Sequence, residues 1–338
     1  MIVRLGYVAM SVHVKNASPS KTMTVTNFSK LADRKAAVRK LERIGAENLH
    51  NTLRLLRHNA AHEIYIYRLS SKLIPLFGHE LLGDWNPTSV LADEFAAVGD
   101  YAKKHGMRLS FHPDHFTVLS TPRKDVLISS IADLDRHVRM LEAMGLGLEA
   151  LCNIHIGGSY GDKPSAQARF VSHFESMEQR VRERVTLEND DKTFTALETL
   201  EVCERVGVPM VLDLHHHHVN NDGESAASLW QRIARTWVRS GPTDASAELP
   251  PKIHVSSPKN DKVPRRHADY VEPEPLLEFL REIAAETPRL DVMIEAKLKD
   301  EALFRLIESL KGHTDIKPLT GASFEVPMPG SQGRFQDE

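Results

Sequence analysis

The middle of this chain contains a strand–helix–strand unit that reads Arg184-Val-Thr-Leu-Glu188-Asn-Asp-Asp-Lys-Thr193-Phe-Thr-Ala-Leu-Glu-Thr-Leu-Glu-Val-Cys-Glu-Arg-Val-Gly207-Val-Pro-Met-Val-Leu-Asp213-Leu. The apolar runs at 184–188 and 208–214 are predicted strands, and each carries a carboxylate near its end. Residues 193–206 are a predicted helix, with Thr193 as its N-cap and Gly207 as its stop. Short strands that alternate with helices are typical of a parallel sheet.

The same alternation continues in both directions from this unit. The predicted strands are 2–7, 63–69, 108–111, 150–156, 184–188, 208–214, 252–255 and 291–295. The predicted helices are 31–57, 89–105, 124–144, 165–181, 193–206, 224–239, 275–285 and 301–310. Eight such pairs indicate the α/β class and a single (β/α)8 TIM barrel over residues 1–320. Residues 240–251 are a predicted Pro/Ser-rich link, and the Gly/Pro-rich residues 321–338 are a predicted irregular C-terminal tail.

Composition is that of an ordinary globular protein. The chain has 338 residues, of which 41% are hydrophobic and 26% are charged, and its net charge of −3 neither indicates nor excludes nucleic-acid binding. Cys152 and Cys203 are its two cysteines, so a disulfide scaffold is not expected and a cytoplasmic location is. No apolar run approaches the ~20 residues of a membrane span, so no membrane partner is expected.

Histidines and carboxylates stand at the ends of most predicted strands. They are His112, His155, Glu188, Asp213, His215, His216, His254 and Glu295. Strand ends of a parallel barrel meet at one face, and imidazoles with carboxylates are ligands for divalent metals. One acid at a strand end is more often part of a salt bridge. Three acids, Glu188, Asp213 and Glu295, aimed at one centre would repel each other without cations, which favours a metal centre.

Several neighbouring residues allow more than one interpretation. Lys252 shares a strand face with His254, and it could pair with a carboxylate, bind a substrate phosphate or be carboxylated. His79, His112 and His267 each follow a strand and, taken singly, could be surface histidines. The basic loop residues are either solvated charges or contacts to a phosphate backbone, and they are Lys259, Lys262, Arg265 and Arg266.

Taken together, these residues resemble the ultraviolet damage endonuclease family over nearly the whole chain. The matching segments are Arg4-Leu-Gly-Tyr7, Tyr67-Arg-Leu-Ser-Ser71 with His79, Leu109-Ser-Phe-His112-Pro113, Asn153-Ile-His155-Ile-Gly-Gly-Ser-Tyr160-Gly161, Leu187-Glu188-Asn-Asp-Asp-Lys192, Asp213-Leu-His-His216, Lys252-Ile-His254 and Met293-Ile-Glu295-Ala-Lys297. The set is specific, although a single motif such as His-Pro would carry no weight.

The resemblance implies a barrel similar to endonuclease IV and xylose isomerase-like enzymes. It implies up to three divalent ions, with Mn²⁺ expected and Mg²⁺, Co²⁺ or Zn²⁺ as alternatives. The implied metal ligands are His79, His112, His155, Glu188, Asp213, His216, His254, His267 and Glu295. The implied catalytic residues are Glu188, Glu295 and Lys252, and the lysine falls where the family has one that can be carboxylated.

The resemblance also implies a substrate and a reaction. The substrate is ultraviolet-damaged double-stranded DNA, nicked immediately 5′ of cyclobutane dimers or 6-4 photoproducts so that excision repair begins, and no obligate protein partner is implied. The implied DNA- or lesion-binding residues are Tyr7, His115, Phe116, Tyr160, Lys259, Arg265 and Lys297. His115 stands where the family usually has Gln, which leaves the metal ligands intact and puts lesion preference in question.

Three other functions remain open from the sequence. A sugar isomerase or epimerase of the same architecture would also place acids and histidines around divalent metal, although with fewer histidines. An abasic-site endonuclease of the endonuclease IV type would cleave abasic DNA and not photoproducts. A damage-binding protein without catalysis would have lost ligands, and none of the implied ligands is missing.

Overall fold

A computed structural model describes residues 1–83, 85–238 and 249–328 of the chain. Within them, eight parallel strands form a closed barrel, because each strand pairs with the next one in sequence and the eighth pairs with the first. The barrel strands are β1 Ile2–Val8, β2 Ile66–Arg68, β3 Arg108–Phe111, β4 Leu151–His155, β5 Val185–Glu188, β6 Met210–Asp213, β7 Lys252–Val255 and β8 Arg289–Ile294. The predicted (β/α)8 fold is confirmed.

Helices pack around the outside of the barrel. They are α1 Val25–Ser29, α2 Arg34–Ala61, α3 Pro87–Val90, α4 Ala92–Lys104, α5 Lys124–Ala143, α6 Lys163–Glu175, α7 Gln179–Arg182, α8 Ala196–Val206, α9 Leu214–Val219, α10 Ala226–Thr236, α11 Pro273–Ile283 and α12 Lys299–Leu310. Each predicted helix has its counterpart here, and short helices such as α3 and α7 are added in the connections. No described helix is long and apolar enough to cross a membrane.

The start of α8 differs from the prediction. Its N-cap is Thr195, whose hydroxyl accepts from the Glu198 backbone N–H while the Glu198 carboxylate accepts from the Thr195 backbone N–H. This capping box satisfies two backbone donors that Thr193 would leave free. Thr193 instead donates its N–H to the Asp190 side chain. The predicted stop is confirmed, because Gly207 has φ +71° in the left-handed region.

The chain beyond residue 320 was predicted to be irregular, but part of it forms a strand. Strands β9 Lys317–Thr320 and β10 Ser323–Glu325 form a hairpin, and β10 pairs antiparallel with β1 through Ile2↔Glu325. The reason lies in β2, which pairs with β1 only from Gly6 onward, so the β2-facing edge of β1 before Gly6 is left for β10, while the other edge pairs with β8. The rest of the tail, 329–338, residues 240–248 of the predicted link and residue 239 of the predicted helix before it lie outside the described residues.

Alternation along the strands sorts the barrel interior into layers. At the amino-terminal end, the buried Asp291 carboxylate accepts from Arg4 Nε at 2.8 Å and from Arg108 Nη1 at 2.7 Å. Further along β7 and β8 the same face reaches the carboxyl ends of the strands. His254 comes two residues after Lys252 on β7. Glu295 comes four residues after Asp291, directly after the end of β8. The fold therefore brings the polar strand ends together at one mouth.

The two cysteines were not expected to form a disulfide, and in the structure they do not. Cys152 lies in β4 and Cys203 in α8, and both are buried and free. Burial also raises the pKa of each thiol, so neither is a reactive thiolate.

Candidate functional site

Six strand ends place their side chains at the carboxyl mouth of the barrel. In the described chain, two sets of side chains each hold potential ligand atoms that lie within 4.8 Å of one another. The first set is His112, His155 and Glu188. The second set is Glu188, Asp213, His254 and Glu295. Glu188 belongs to both sets because it ends β5, between the β4 and β6 sides of the mouth. A carboxylate that belongs to two ligand sets is suited to bridge two neighbouring metal ions.

Glu188 is the centre of this cluster. Its side chain is 1% exposed, and its Oε2 lies 3.1 Å from His112 Nε2 and 3.1 Å from His254 Nδ1. It also accepts a hydrogen bond from Asn153 Nδ2. Burial opposes ionisation, but His254 and His155 outweigh it and hold the pKa of Glu188 well below the usual range. Glu188 is therefore a buried anion.

Burial also acts on the pKa values of the other two acids, but with different results. Burial, with repulsion from Glu188 and Glu295, raises the pKa of Asp213 to about 6. For Glu295, burial is outweighed by Arg68 and His254, so its pKa is well below the usual range. Three buried carboxylates around one point need positive charge to be stable.

Two atoms of the cluster have the character of metal ligands. His254 Nδ1 is buried 3.1 Å from Glu188 and 3.0 Å from Glu295, without hydrogen-bond geometry to either oxygen. Asp213 Oδ2 is buried and has no hydrogen-bond partner among the described residues. Buried polar atoms are normally paired, and an oxygen and nitrogen left unpaired in this way fit a divalent ion.

The histidines of the mouth are oriented by backbone carbonyls. Nδ1–H of His155 donates to the Glu188 carbonyl at 3.2 Å, that of His216 to the Asn189 carbonyl at 2.9 Å, and that of His267 to the Glu295 carbonyl at 2.7 Å. A carbonyl only accepts, so each Nδ1 carries a proton, and in the neutral imidazole Nε2 then has a lone pair. Metal-binding histidines are commonly held by this kind of outer hydrogen bond.

The predicted ligands are not all drawn into the two clusters. His216 and His267 line a cavity of about 460 Å³ together with His112 and His155, but they lie outside the tight sets. His79 lines a different cavity, beside Lys72 and Arg136, and its Nδ1 accepts from the Leu81 backbone N–H at 3.2 Å. His79 is in neither of the two tight sets, and its Nδ1 caps the short 3₁₀ turn Glu80–Leu82.

Lys252 is buried beneath His254. It is 4% exposed, and its Nζ donates to Ser110 Oγ at 3.4 Å, with no carboxylate partner among the described residues. Burial and the neighbouring Arg108 lower its pKa well below the ordinary lysine value, against the opposing effect of Asp291. The sequence-based option that Lys252 pairs with a carboxylate is not what the structure contains.

One of the predicted DNA contacts, Tyr7, is not at the surface of this structure. Tyr7 is fully buried, and its hydroxyl donates to Asn59 Oδ1 at 2.6 Å. Its ring packs edge-on against Tyr67 at 5.4 Å, in the wall of the barrel. With its hydroxyl satisfied and its ring buried, Tyr7 is part of the core in this structure, and its contact with DNA stays a prediction.

The other predicted contacts are at the surface. Phe116 is 73% exposed and stacks with His115, whose Nδ1 lies 2.6 Å from Asp114. Tyr160 is half exposed and has Arg169 above its ring at 5.6 Å. The remaining three predicted contacts are also exposed, and they are Lys259, Arg265 and Lys297.

Two further residues touch the cluster and were missed from the sequence. Asn153 holds Glu188, and Arg68 donates to Glu295 Oε1 from the end of β2. Strand parity could have found both of them. Asn153 is two residues before His155 on one face of β4, and Arg68 ends a strand as the other site residues do.

Comparisons with known proteins agree with this geometry. The sequence model of a family described as UV-endonuclease UvdE matches residues 3–326. A UV DNA damage endonuclease of Halalkalibacterium halodurans is 42% identical over 96% of this chain and 99% of its own length. One of Bacillus pumilus is 41% identical over 96% and 99%. The crystal structure of SacUVDE covers 92% of this chain and 98% of its own, with 28% identity and a TM-score of 0.79.

Proposed function

Because the chain belongs to the UV-endonuclease UvdE family, we propose that it is a metal-dependent endonuclease that hydrolyses a phosphodiester of ultraviolet-damaged DNA. The observation that carries this proposal is the pair of ligand sets joined by Glu188 at the barrel mouth. We place the cut immediately 5′ of cyclobutane dimers and 6-4 photoproducts, as the first step of excision repair. The buried free cysteines are compatible with action in the cytoplasm.

The residues suited to hold the ions are those of the two sets, with His216 and His267 at the edge. Mn²⁺ is our expected ion, and up to three ions are expected. Divalent ions in such a site supply a nucleophile from water and neutralise charge on the phosphate and on the leaving oxygen. The chain contributes the ligands and the backbone carbonyls that orient them.

Lys252 has a separate role in this proposal. Its burial next to Arg108 favours the neutral amine. A neutral amine is the form that combines with carbon dioxide, with loss of its proton, and the resulting carbamate would be an anion beneath His254. Carboxylation of Lys252 would then offset the positive charge of Arg108 and add a carboxylate to the centre.

Selection of damaged DNA is proposed to rest on the exposed aromatic side chains. Photoproducts are poorly stacked, so extruding them from the duplex costs less than extruding normal bases. Phe116 protrudes beside the 460 Å³ cavity lined by His112 and His155, where its ring can fill the space that extruded bases leave. His115 and Tyr160 lie on the same side, next to Phe116 and Gly158 respectively.

The alternative functions have weaker support. A 3-keto-D-glucoside 4-epimerase from E. coli has a TM-score of 0.51 and 11% identity, a likeness that extends to the fold alone. A sugar isomerase would not require exposed aromatic and basic residues around the mouth. An abasic-site endonuclease would also hydrolyse a DNA phosphodiester, and only its substrate would distinguish it from the proposed function.

The test is a nicking assay on supercoiled plasmid, with and without ultraviolet irradiation, in Mn²⁺ and in EDTA. We expect relaxation of irradiated plasmid only, abolished by EDTA. Nicking of an abasic plasmid but not of an irradiated one would favour the abasic-site endonuclease. Absence of nicking, with turnover of a ketose or aldose, would favour the isomerase.

Replacing Phe116 by alanine should weaken binding of irradiated duplex by about 5- to 150-fold, since one aromatic–base stack contributes about 1–3 kcal/mol. Its side chain is 73% exposed, so the free energy of unfolding should stay the same. The measurement is fluorescence anisotropy with irradiated and undamaged duplexes. Val90→Ala, a truncation of an exposed apolar side chain on α3, is the control and should leave both affinities unchanged. Equal affinities for Phe116→Ala and wild type would remove Phe116 from lesion recognition.

A further inference from the structure

The two loops that carry exposed aromatic side chains meet at the mouth of the barrel. The loop after β3 contains Phe116, and the loop after β4 contains Tyr160. Both loops line the same cavity, of about 460 Å³. Ser120 Oγ in the first loop donates to the Gly158 carbonyl in the second at 2.9 Å. A direct hydrogen bond therefore ties one loop to the other.

Gly157 is the point where the two loops approach most closely. It has φ +109°, and a Cβ at this position would lie 2.5 Å from Val118 Cγ1 and 2.8 Å from Ser120 Oγ. Glycine is the residue that allows such a backbone conformation and leaves room for the neighbouring loop. The two loops are therefore packed together as one surface, in addition to their hydrogen bond.

Tyr160 has a backbone conformation that a tyrosine seldom adopts. Its φ is +52°, in the left-handed region, and this conformation costs free energy. Its side chain is half exposed, and its ring packs over Gly158, where a Cβ would lie 3.3 Å from Tyr160 Cε2. A strained residue of this kind persists only where contacts from the rest of the fold hold it in place.

Arg169 of α6 contacts both loops at once. Its Nε donates to the Ser120 carbonyl of the loop after β3 at 2.8 Å. Its Cζ lies over the ring of Tyr160 in the other loop, 5.6 Å from the ring centroid. Arg169 Nη2 is buried and has no hydrogen-bond partner among the described residues, so the electron-rich face of the Tyr160 ring offsets part of the cost of its burial. One guanidinium thus links the two loops.

We propose that Arg169 is a positioning residue for lesion recognition, which holds Phe116 and Tyr160 in a fixed arrangement so that both rings engage a damaged duplex. The inference rests on the proposed function, since it concerns how that site selects its DNA. Contacts that are ordered before binding lower the entropic cost of binding. The contribution of Arg169 therefore falls on affinity for damaged DNA, and Arg169 takes no part in bond cleavage.

The test uses the full-length protein loaded with Mn²⁺. Single-turnover nicking of irradiated duplex, with the enzyme in excess, gives the half-saturating enzyme concentration and the maximal rate separately. Fluorescence anisotropy gives the affinity for undamaged duplex, which the proposed function leaves uncut.

Two variants and one control are compared with wild type. Arg169→Met keeps an unbranched side chain and removes both the donors and the charge. Arg169→Gln removes the charge but keeps the contact with the Ser120 carbonyl, because its amide nitrogen follows the same number of carbons as Nε does in arginine. The control is Arg305→Met, which removes an exposed arginine of α12 whose guanidinium lies 3.9 Å from the centroid of the Tyr270 ring.

We expect Arg169→Met to raise the half-saturating enzyme concentration on irradiated duplex about tenfold, because one charged hydrogen bond and one cation–π contact are lost. Arg169→Gln, which loses only the cation–π contact, should raise it about threefold. The maximal rate, the affinity for undamaged duplex and the bound Mn²⁺ should match wild type in both variants. Arg305→Met should match wild type in every measurement.

A further comparison separates positioning from direct contact with DNA and from a general loss of structure. In a protein that already carries Phe116→Ala and Tyr160→Ala, adding Arg169→Met should change the half-saturating concentration no further, because the rings that Arg169 holds are absent. A loss of the same size in that background would overturn this inference. Wild-type values for both single variants, with wild type still nicking irradiated DNA, would also overturn it and leave the proposed function intact. A wild-type protein that does not nick irradiated DNA would overturn both.

Discussion

Replacing Glu188 by glutamine should lower the nicking rate on irradiated plasmid by at least about 1,000-fold, the scale on which loss of one group that stabilises charge is felt in an enzyme. Glu188 lies in both ligand sets and is 1% exposed. Glutamine keeps the shape and the contact with Asn153 but removes the negative charge that two neighbouring ions would share. Binding of irradiated duplex should persist, because the exposed contacts are untouched.

Two measurements and one control separate this effect from misfolding. Bound Mn²⁺ per chain should fall in Glu188→Gln, while its circular dichroism spectrum remains that of wild type. Glu204→Gln changes a half-exposed carboxylate on α8 that pairs with Arg232 at 2.7 Å, and it should nick within about twofold of wild type, as expected for a surface pair. If Glu188→Gln nicks irradiated DNA at the wild-type rate, Glu188 is not a ligand of the catalytic ions.

Protein stripped of metal should lose stability as the pH rises from 6.5 to 9. Burial opposes charge on His216, but Asp213 and Glu188 outweigh it and raise its pKa to about 9; Glu188 and Glu295 raise that of His254 to about 9 in the same way. A raised folded-state pKa stabilises the fold below the unfolded value of 6.5, and this contribution is lost as the pH passes through the folded value. With 1.36 kcal/mol per pKa unit, the expected loss is about 3 kcal/mol for each of the two histidines.

The remaining acids do not reverse this trend. The raised pKa of Asp213, about 6, also makes the fold lose stability as pH rises, but between the unfolded value of 3.8 and about 6, which is below this window. The lowered pKa values of Glu188 and Glu295 have the opposite sense, but they act only where the pH falls through the usual carboxyl range.

Urea unfolding at pH 6.5 and pH 9, in EDTA and in Mn²⁺, measures this loss. Metal ions take the place of protons on imidazole, so the gap in stability between loaded and stripped protein should widen at pH 9. His254→Asn should remove much of the pH dependence, whereas His50→Asn, an exposed histidine on α2, should leave it unchanged. A stripped protein whose unfolding free energy is the same at both pH values would contradict the charged state assigned to these histidines.

Sequence patterns predicted the parts of the site that depend on strand ends. Glu188, Asp213, His254 and Glu295 each close a short apolar run, and barrel geometry requires such ends to converge. Prediction was weaker where a residue follows a strand by several positions. His79 was grouped with the ligands from its motif, yet its ring nitrogen caps a 3₁₀ turn, and a loop of that length leaves the direction of a side chain undetermined.

Other differences arose because burial is decided by packing between distant segments. Tyr7 was expected at the DNA surface, but Asn59 of α2, fifty-two residues away, meets its hydroxyl inside the barrel wall. The strand Ser323–Glu325 was expected to be irregular, since nothing near it in sequence indicates the free part of β1 that it covers. Both contacts join parts of the chain that local patterns treat separately.

The sequence by itself determined the barrel and the chemistry of its mouth, because a period of two along strands and the order of strands and helices are local properties that leave few arrangements. Only the tertiary structure decided how the charges are paired: that Glu188 is shared by two ligand sets, that Lys252 is buried beside Arg108, and that Arg68 donates to Glu295. The physical reason is that protonation and pairing depend on burial and on distances of a few ångströms between residues far apart in the chain, and these exist only once the barrel has closed.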